Sequence, residues 1–137
     1  MGTTTFSGPI KAGSGSNVGS VVMAQSKVID IIGASVVDQV CATIPGISQI
    51  IVVIANVSEV SDDSSTATIS VGTSTDPDCF IATLNVKALG TTHGTLDTEA
   101  TDVGTSDLQI LADTAMAGGD GTTGAATVTV MLSLIHI

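Results

Sequence analysis

The stretch SQIIVVIANVSEV, residues 48–60, decides the fold class of this chain. Branching at Cβ restricts Ile and Val side chains in a helix, whereas the same residues pack well on a pleated sheet. The run shows little polar alternation, so it predicts a central strand that is buried on both faces. The cluster SDDSS at 61–65 then ends the strand in a loop.

Further candidate strands lie on both sides of this segment, separated by turns that contain Gly, Pro or Asp. They are VGSVVMAQ (18–25), ASVVDQVCATI (34–44), TATISVGT (66–73), CFIATLNV (79–86), a short strand near TLDT (95–98), SDLQILAD (106–113) and AATVTVMLSL (125–134). About seven or eight short strands at regular spacing predict an all-β fold, a β-sandwich or jelly-roll-like body of antiparallel strands. A helix is the alternative for residues 26–37, since Val28, Ile31 and Ile32 would share one helical face.

The composition predicts an aliphatic core and an acidic surface. Hydrophobic residues make up 43% of the 137 residues, yet aromatic residues make up only 1%. Three Lys, no Arg and 13 acidic residues give a net charge of -10. Nucleic acid and anionic membrane surfaces are therefore disfavoured as partners, and the lack of Trp and Tyr disfavours sugar stacking. This charge suits an assembly whose other components carry basic patches.

Few residues point to chemistry. His93 in GTTHGT is the one trustworthy base candidate, no G-x-S-x-G motif accompanies it, and we expect a non-enzymatic chain without a cofactor. Weak candidates for calcium bound between loops are Asp62, Asp63, Asp76 and Asp78. Acids in Ser- and Thr-rich loops usually lie in solvent, and neither pair has the spacing of an EF-hand.

The two cysteines, Cys41 and Cys79, lie beside apolar, strand-like segments. We expect two buried free thiols, with a disulfide as the alternative. No His lies near enough in the sequence for a convincing zinc site. The start, MGTTTFSG, lacks the features of a signal peptide, so export by the usual route is not indicated.

The segment FSGPIKAGSGSNVGSV, residues 6–21, predicts an arm in front of the folded body. Phe6 and Ile10 need a surface to pack against, whereas the Gly/Ser run that follows makes flexible chain. The chain therefore divides into an extended arm, a β-sandwich domain and a final segment, at residues 1–17, 18–131 and 132–137. The final segment, LSLIHI, resembles the translation of a transposase adapter used in library preparation, and we expect it to replace the natural C-terminus. An ordinary last strand is the alternative.

Several pieces of the chain resemble small structural proteins of tailed bacteriophages. The most specific piece is FSGPIKAG, followed by the Gly/Ser run and a strand that ends in Ala-Gln. The others are IPGISQI (44–50), SVGTS (70–74), VGTSDLQI (103–110) and a closing TVTV strand (127–130). The resemblance covers most of the chain up to Val130. The similar proteins end in a strand with Arg and Tyr, which this chain lacks.

The resemblance implies a virion component, made in the bacterial host cytoplasm and located at the capsid surface. It implies a capsid decoration (cement) protein with a β-sandwich or jelly-roll body, whose partner is the major capsid protein. The alternatives are a tail, neck or fibre protein, or a calcium-dependent module that binds a surface or carbohydrate. A homo-oligomer is expected, and a trimer would suit closed symmetry.

Under this interpretation the arm is the partner-binding element. Phe6, Pro9 and Ile10 would pin into a capsid protein or an adjacent subunit, and Lys11 would meet acidic capsid surface. Proline stiffens the anchor and so lowers the ordering cost of docking. The alternative is an arm that folds back on the edge of its own sandwich.

Overall fold

The structure is a computed structural model that describes residues 21–96 and 103–134. Within these residues the chain forms strands, turns and loops without any helix, which confirms the predicted all-β class. The strands are β1 (Val21–Asp30), β2 (Gln39–Ile44), β3 (Ser48–Glu59), β4 (Ala67–Gly72), β5 (Ile81–Asn85), β6 (Gly90–His93), β7 (Leu108–Met116) and β8 (Ala125–Leu134). The predicted arm, residues 1–17, lies outside the described residues.

The strands form two antiparallel sheets that pack as a sandwich. The first sheet has the order β1-β8-β3-β6 and the second sheet the order β2-β7-β4-β5. The chain crosses between the sheets at each connection except the one from β4 to β5. An eight-stranded double sheet with this strand order is a jelly roll, so the predicted sandwich or jelly-roll body is confirmed.

The two ends of the sandwich carry different connections. The chain enters β1 at Val21, opposite Leu134 of β8, and we call this the arm end. Asp30 lies opposite Ala125 at the other end, which we call the loop end. Four connections meet at the loop end, at residues 31–38, 60–66, 86–89 and 117–124. Because β1 is ten residues long, the two ends lie about 33 Å apart.

The core between the sheets is aliphatic, as the composition predicts. In β8 the side chains of Ala126, Val128, Val130 and Leu132 are fully buried and alternate with more exposed residues. Phe80 adds a buried aromatic ring. Each fully buried aliphatic side chain of Val or Leu size contributes roughly 1.5–3 kcal/mol relative to an exposed one, so burial of this surface stabilises the sandwich.

β3 differs from the predicted central strand because only one of its faces is buried. Ile50 and Val53 are buried, whereas Ile51 is 42% exposed and Val52 and Ile54 are half-buried. A β-bulge between Ile50 and Val52 puts Ile51 on the exposed side. The prediction of burial on both faces is therefore wrong, since the second sheet covers the first sheet on one side only.

The helix considered for residues 26–37 is also wrong. Residues 26–30 continue β1, and the loop that follows runs beside β7. The backbone N–H of Val36 donates to Thr114 Oγ1 (3.0 Å), and the Thr114 N–H donates to the Val36 carbonyl (2.8 Å). These bonds to a distant strand take the place of helical bonds, so tertiary pairing overrides the local apolar spacing.

Several strand boundaries differ from the predicted ones. The first strand, predicted at 18–25, continues to Asp30. The strand predicted at 34–44 begins only at Gln39, because the preceding residues belong to the loop beside β7. The short strand expected near 95–98 is not seen at residues 95 and 96, and residues 97 and 98 lie outside the described part. A short strand that was not predicted, β6, lies earlier, where Gly90 pairs with Val57 and His93 pairs with Ile54.

β8 extends into the final segment of the sequence. Leu132 is fully buried and lies opposite Met23 and Ile50. Leu134 is half-buried, and the residues after it lie outside the described part. An ordinary strand and an adapter-derived one pair equally well here, so the adapter origin of residues 132–137 stays a prediction.

Candidate functional site

The carboxylate of Asp63 organises the loop end, although the residue is only 1% exposed. Its Oδ1 accepts hydrogen bonds from the backbone N–H groups of Ser65 (2.9 Å) and Gly118 (2.9 Å). Its Oδ2 accepts one from the Gly119 N–H (2.8 Å). The side chain thus joins the β3–β4 loop to the β7–β8 loop and satisfies backbone donors of both. A Cβ at position 118 would lie 2.5 Å from Asp63 Oδ1, so glycine is needed there.

Two exposed aspartates join the same two loops from either side. Asp62 Oδ1 accepts hydrogen bonds from the N–H groups of Thr122 (2.6 Å) and Thr123 (2.9 Å), and its Oδ2 accepts one from Thr122 Oγ1 (2.7 Å). From the β7–β8 loop, Asp120 Oδ1 accepts the N–H of Ser64 (2.8 Å). We call Asp62, Asp63 and Asp120 the acidic cluster.

Lys87 of the β5–β6 loop contacts the loop that contains Asp62 and Asp63. Its Nζ donates to the backbone carbonyl oxygens of Asp63 and Ser65, the latter at 2.8 Å. These bonds tie the β5–β6 loop to the backbone of the β3–β4 loop. Three of the four loops at this end are therefore linked by polar side chains.

Hydrogen bonds to the charged carboxylates lower the pKa values of the acidic cluster. The Thr123 N–H and the Thr122 hydroxyl bring the pKa of Asp62 to about 2, from an ordinary 3.8. The pKa of Asp63 is lowered, first by the Ser65 N–H, and the pKa of Asp120 is lowered, first by the Ser64 N–H. In each case the ionised form is the better acceptor, which favours the loss of the proton.

We expect acid to destabilise this end of the sandwich. A carboxylate whose folded-state pKa is depressed stabilises the fold fully above its unfolded pKa and loses that contribution as the pH falls through the folded pKa. The thermal midpoint should therefore drop between about pH 4 and about pH 2. Thermal unfolding followed by circular dichroism across this range measures the effect. An Asp62→Asn variant should show a shallower pH dependence, and an equal slope in both proteins would contradict the assignment.

The four calcium candidates are not brought together into one site. Asp62 and Asp63 accept hydrogen bonds from backbone N–H groups at the loop end. Asp76 and Asp78 are exposed in the turn between β4 and β5. Among residues 21–96 and 103–134, no group of three or more His, Cys, Asp or Glu side chains could hold a metal ion. The carboxylates of the acidic cluster therefore act in the structure as loop acceptors.

His93 and the two thiols lie apart from the acidic cluster. His93 is exposed and ends β6. Cys41 and Cys79 are unpaired, which confirms the expected free thiols, but Cys79 is only half-buried. Burial raises the pKa of Cys41 to about 11, and burial also raises the pKa of Cys79. Both thiols are thus poor nucleophiles near neutral pH.

The arm end exposes apolar side chains. Met23 is 45% exposed and Ile47 is 48% exposed. Ile47 has a positive φ of 61°, which is unfavourable for a β-branched residue. Its N–H donates to the Gly104 carbonyl at 2.5 Å, which holds the turn between β2 and β3 in place. Apolar surface is therefore available where the predicted arm joins the body.

Gln25, which lies in the middle of β1, joins the first sheet to an edge of the second sheet. Its Nε2 donates to the Thr43 carbonyl (2.9 Å), and the Thr43 N–H donates to its Oε1 (3.1 Å). Thr43 lies in β2, at an edge of the second sheet. The amide side chain therefore occupies backbone groups that another chain could otherwise pair with.

Sequence reasoning found part of the acidic cluster and missed the rest. The sequence places SDDSS in a loop, but nothing in its local pattern shows that Asp63 contacts the loop that contains Asp120. Lys87 carried no signal beyond its charge. Its partners are backbone carbonyls, which every residue has, so the contact cannot be read from the sequence.

The jelly roll is shared with chains of several phage capsids. A chain of the acidic stable capsid structure of Helicobacter pylori bacteriophage KHP30 matches with a TM-score of 0.66 and 18% identity, over 85% of this chain and 90% of that chain. A chain of the cyanophage Pam1 capsid asymmetric unit matches with a TM-score of 0.60 and 15% identity, over 98% and 100%. A chain of the capsid of Ralstonia phage GP4 matches with a TM-score of 0.57 and 14% identity, over 94% and 92%. At these identities the likeness establishes a common fold.

No family model and no curated protein matches this chain. Within the described ranges, no helix is long and apolar enough to cross a membrane.

Proposed function

We propose that this chain is a non-enzymatic virion structural protein, specifically a capsid decoration (cement) protein. It binds the outer shell and reinforces contacts between major capsid subunits. The observation that carries the proposal is the jelly roll shared over nearly the whole length with chains from three phage capsids. Many copies bound across subunit boundaries multiply a modest interface and so raise the cost of shell rupture.

The charge of the chain supports a place on the outside of the shell. A net charge of -10 opposes contact with packaged DNA, whose phosphates attract Lys and Arg clusters. The major capsid protein, as the proposed partner, lies between this chain and the genome. The outer surface of the virion is the proposed location, after synthesis in the bacterial host cytoplasm.

The two ends of the sandwich support an orientation on the shell. Met23 and Ile47 expose apolar surface at the arm end, and the acidic cluster lies at the loop end. Apolar side chains are exposed at the loop end too, among them Val37 and Leu89, so the orientation follows from the arm. The proposed anchor precedes β1, which begins at the arm end, and the arm end therefore faces the shell. The loop end, with the acidic cluster, faces solvent.

The arm remains the proposed anchor, although residues 1–17 lie outside the described residues. Phe6, Pro9 and Ile10 would be buried against a capsid protein or an adjacent subunit, with Lys11 on acidic capsid surface. The Gly/Ser run gives the arm reach, and Val21 starts β1 beside the apolar surface of the arm end.

Copy number in purified virions tests the proposed function. Quantitative mass spectrometry would compare this protein with the major capsid protein in a phage that encodes it. A decoration protein should be present in about as many copies as the major capsid protein. A trace ratio would assign the protein to the tail, neck, fibre or a vertex instead, and absence from the virion would refute the proposal altogether.

A further inference from the structure

The first sheet has an outer face without acidic or lysine side chains along most of its length. Register places the apolar side chains of this face in adjacent strands, and they are Val22, Val28, Ile51, Val52, Ile54 and Met131. Val22 is 52% exposed and Val28 is 55% exposed. We call this surface the uncharged face. Among the described residues of the sheet, Asp30 and Glu59 lie in its last row at the loop end, and His93 lies at its β6 edge.

Two pairs of polar side chains on the uncharged face are hydrogen-bonded within it. Ser26 Oγ and Thr129 Oγ1 lie 2.8 Å apart across β1 and β8. Thr91 Oγ1 donates to Asn56 Oδ1 (2.8 Å) across β6 and β3. A polar group that keeps its hydrogen bond can lose water at lower cost, so these pairs suit a face that becomes buried.

Lys27 does not reach this face. It lies opposite Val128, whose side chain is fully buried in the core, so Lys27 belongs to the other side of β1. Its neighbours Ser26 and Val28 are the outward residues. The alternation along β1 thus separates the charged side chain from the uncharged face.

We propose that the uncharged face binds a second copy of this chain. A positively charged partner would bind to the acidic surfaces of this chain. The uncharged face has no opposite charge with which to attract such a partner. A second copy carries the same net charge of -10, so two copies repel least where neither presents a charge. An outward sheet face of Val, Ile and Met against its counterpart also repeats the packing of two sheets in a sandwich.

The size of the uncharged face is compatible with such a contact. Strands of about 3.3 Å per residue and about 4.8 Å spacing give a ten-residue, four-stranded face of at most roughly 600 Å². Each partner in a standard-size interface buries about 800 Å². The contact should therefore be modest in solution, with a dissociation constant in the micromolar range, and stronger where copies are held side by side.

This inference goes beyond the proposed function, and its first test uses the purified full chain by itself. Sedimentation equilibrium would follow the average mass from about 1 µM to about 1 mM, a range that spans micromolar affinity. The wild-type mass should rise from 13.5 kDa towards a multiple of that value. Val28→Asp should weaken self-association at least about tenfold, because it sets like charges against each other.

Val40→Asp is the matched control. Val40 is also a strand valine, 43% exposed, but it lies opposite Leu111 in the second sheet. This variant should associate like the wild type. If Val28→Asp does not fold, Ala24→Asp places the same charge on the uncharged face and should have the same effect. A wild type that stays monomeric would overturn the proposal, as would equal association of the Val28 and Val40 variants. So would a monomeric chain whose Val28→Asp variant fails to bind shells, since the shell would then be the occupant.

Discussion

Deletion of residues 2–17 is expected to abolish binding of this chain to phage shells while the sandwich still folds. The deletion removes Phe6, Pro9 and Ile10, the proposed anchors, whereas each described strand begins at Val21 or later. Buried apolar anchors dominate most interfaces, so binding should weaken at least about 100-fold. Cosedimentation with shells that lack this protein measures the loss, and thermal unfolding by circular dichroism checks that the body is folded.

Two further variants separate the anchors from the mere presence of an arm. Ser14→Ala keeps the length of the arm and its apolar residues and should bind like the wild type. Phe6→Ala combined with Ile10→Ala should reproduce the deletion. An unfolded deletion variant would show that the arm packs on its own sandwich, and retained binding would show that the anchor lies elsewhere.

Asp63→Ala is expected to lower the melting temperature by roughly 10 °C, since several backbone donors lose their acceptor together. The N–H groups of Ser65, Gly118 and Gly119 all donate to this one carboxylate. Without it the β3–β4 loop loses its hydrogen bonds to Gly118 and Gly119 of the β7–β8 loop. Thermal unfolding at neutral pH, where the wild-type carboxylate is charged, gives the difference.

The control for this prediction is Asp78→Ala, which removes the same charge from an exposed turn. Its melting temperature should stay close to that of the wild type. Asp63→Asn keeps one acceptor oxygen and should fall between the two. Equal melting temperatures for Asp63→Ala and Asp78→Ala would mean that loss of charge, and not loss of the acceptor, sets the stability of this end.

The sandwich could be predicted from residues that are near one another in the chain. The Ile/Val run of β3 and the alternation in β8 each specify a strand locally, because side chains on a strand repeat every two residues. The wrong predictions concern residues whose conformation depends on a segment that is distant in the sequence. Val36 pairs with Thr114 of β7 and so does not join a helix, and Ile51 is exposed because of a bulge against β8.

The candidate site was less predictable than the fold. Asp62 and Asp63 could be picked out as an acidic pair in a loop, but their partners lie in another loop. Gly118 is 55 residues from Asp63 in the sequence, and no local pattern indicates that the fold brings the two residues into contact. The calcium prediction followed from residue type alone, whereas hydrogen bonds between loops give Asp62 and Asp63 a structural use.

The sequence by itself determined that this protein is an all-β chain with an aliphatic core and an acidic surface. These are properties of composition and of neighbours along the strand, which backbone geometry turns directly into structure. The tertiary structure alone decided which side chains share a face and which loops meet. Strand order and register control both, because a shift of one residue moves every side chain of a strand to the opposite face. The uncharged face and the acidic cluster exist for that reason.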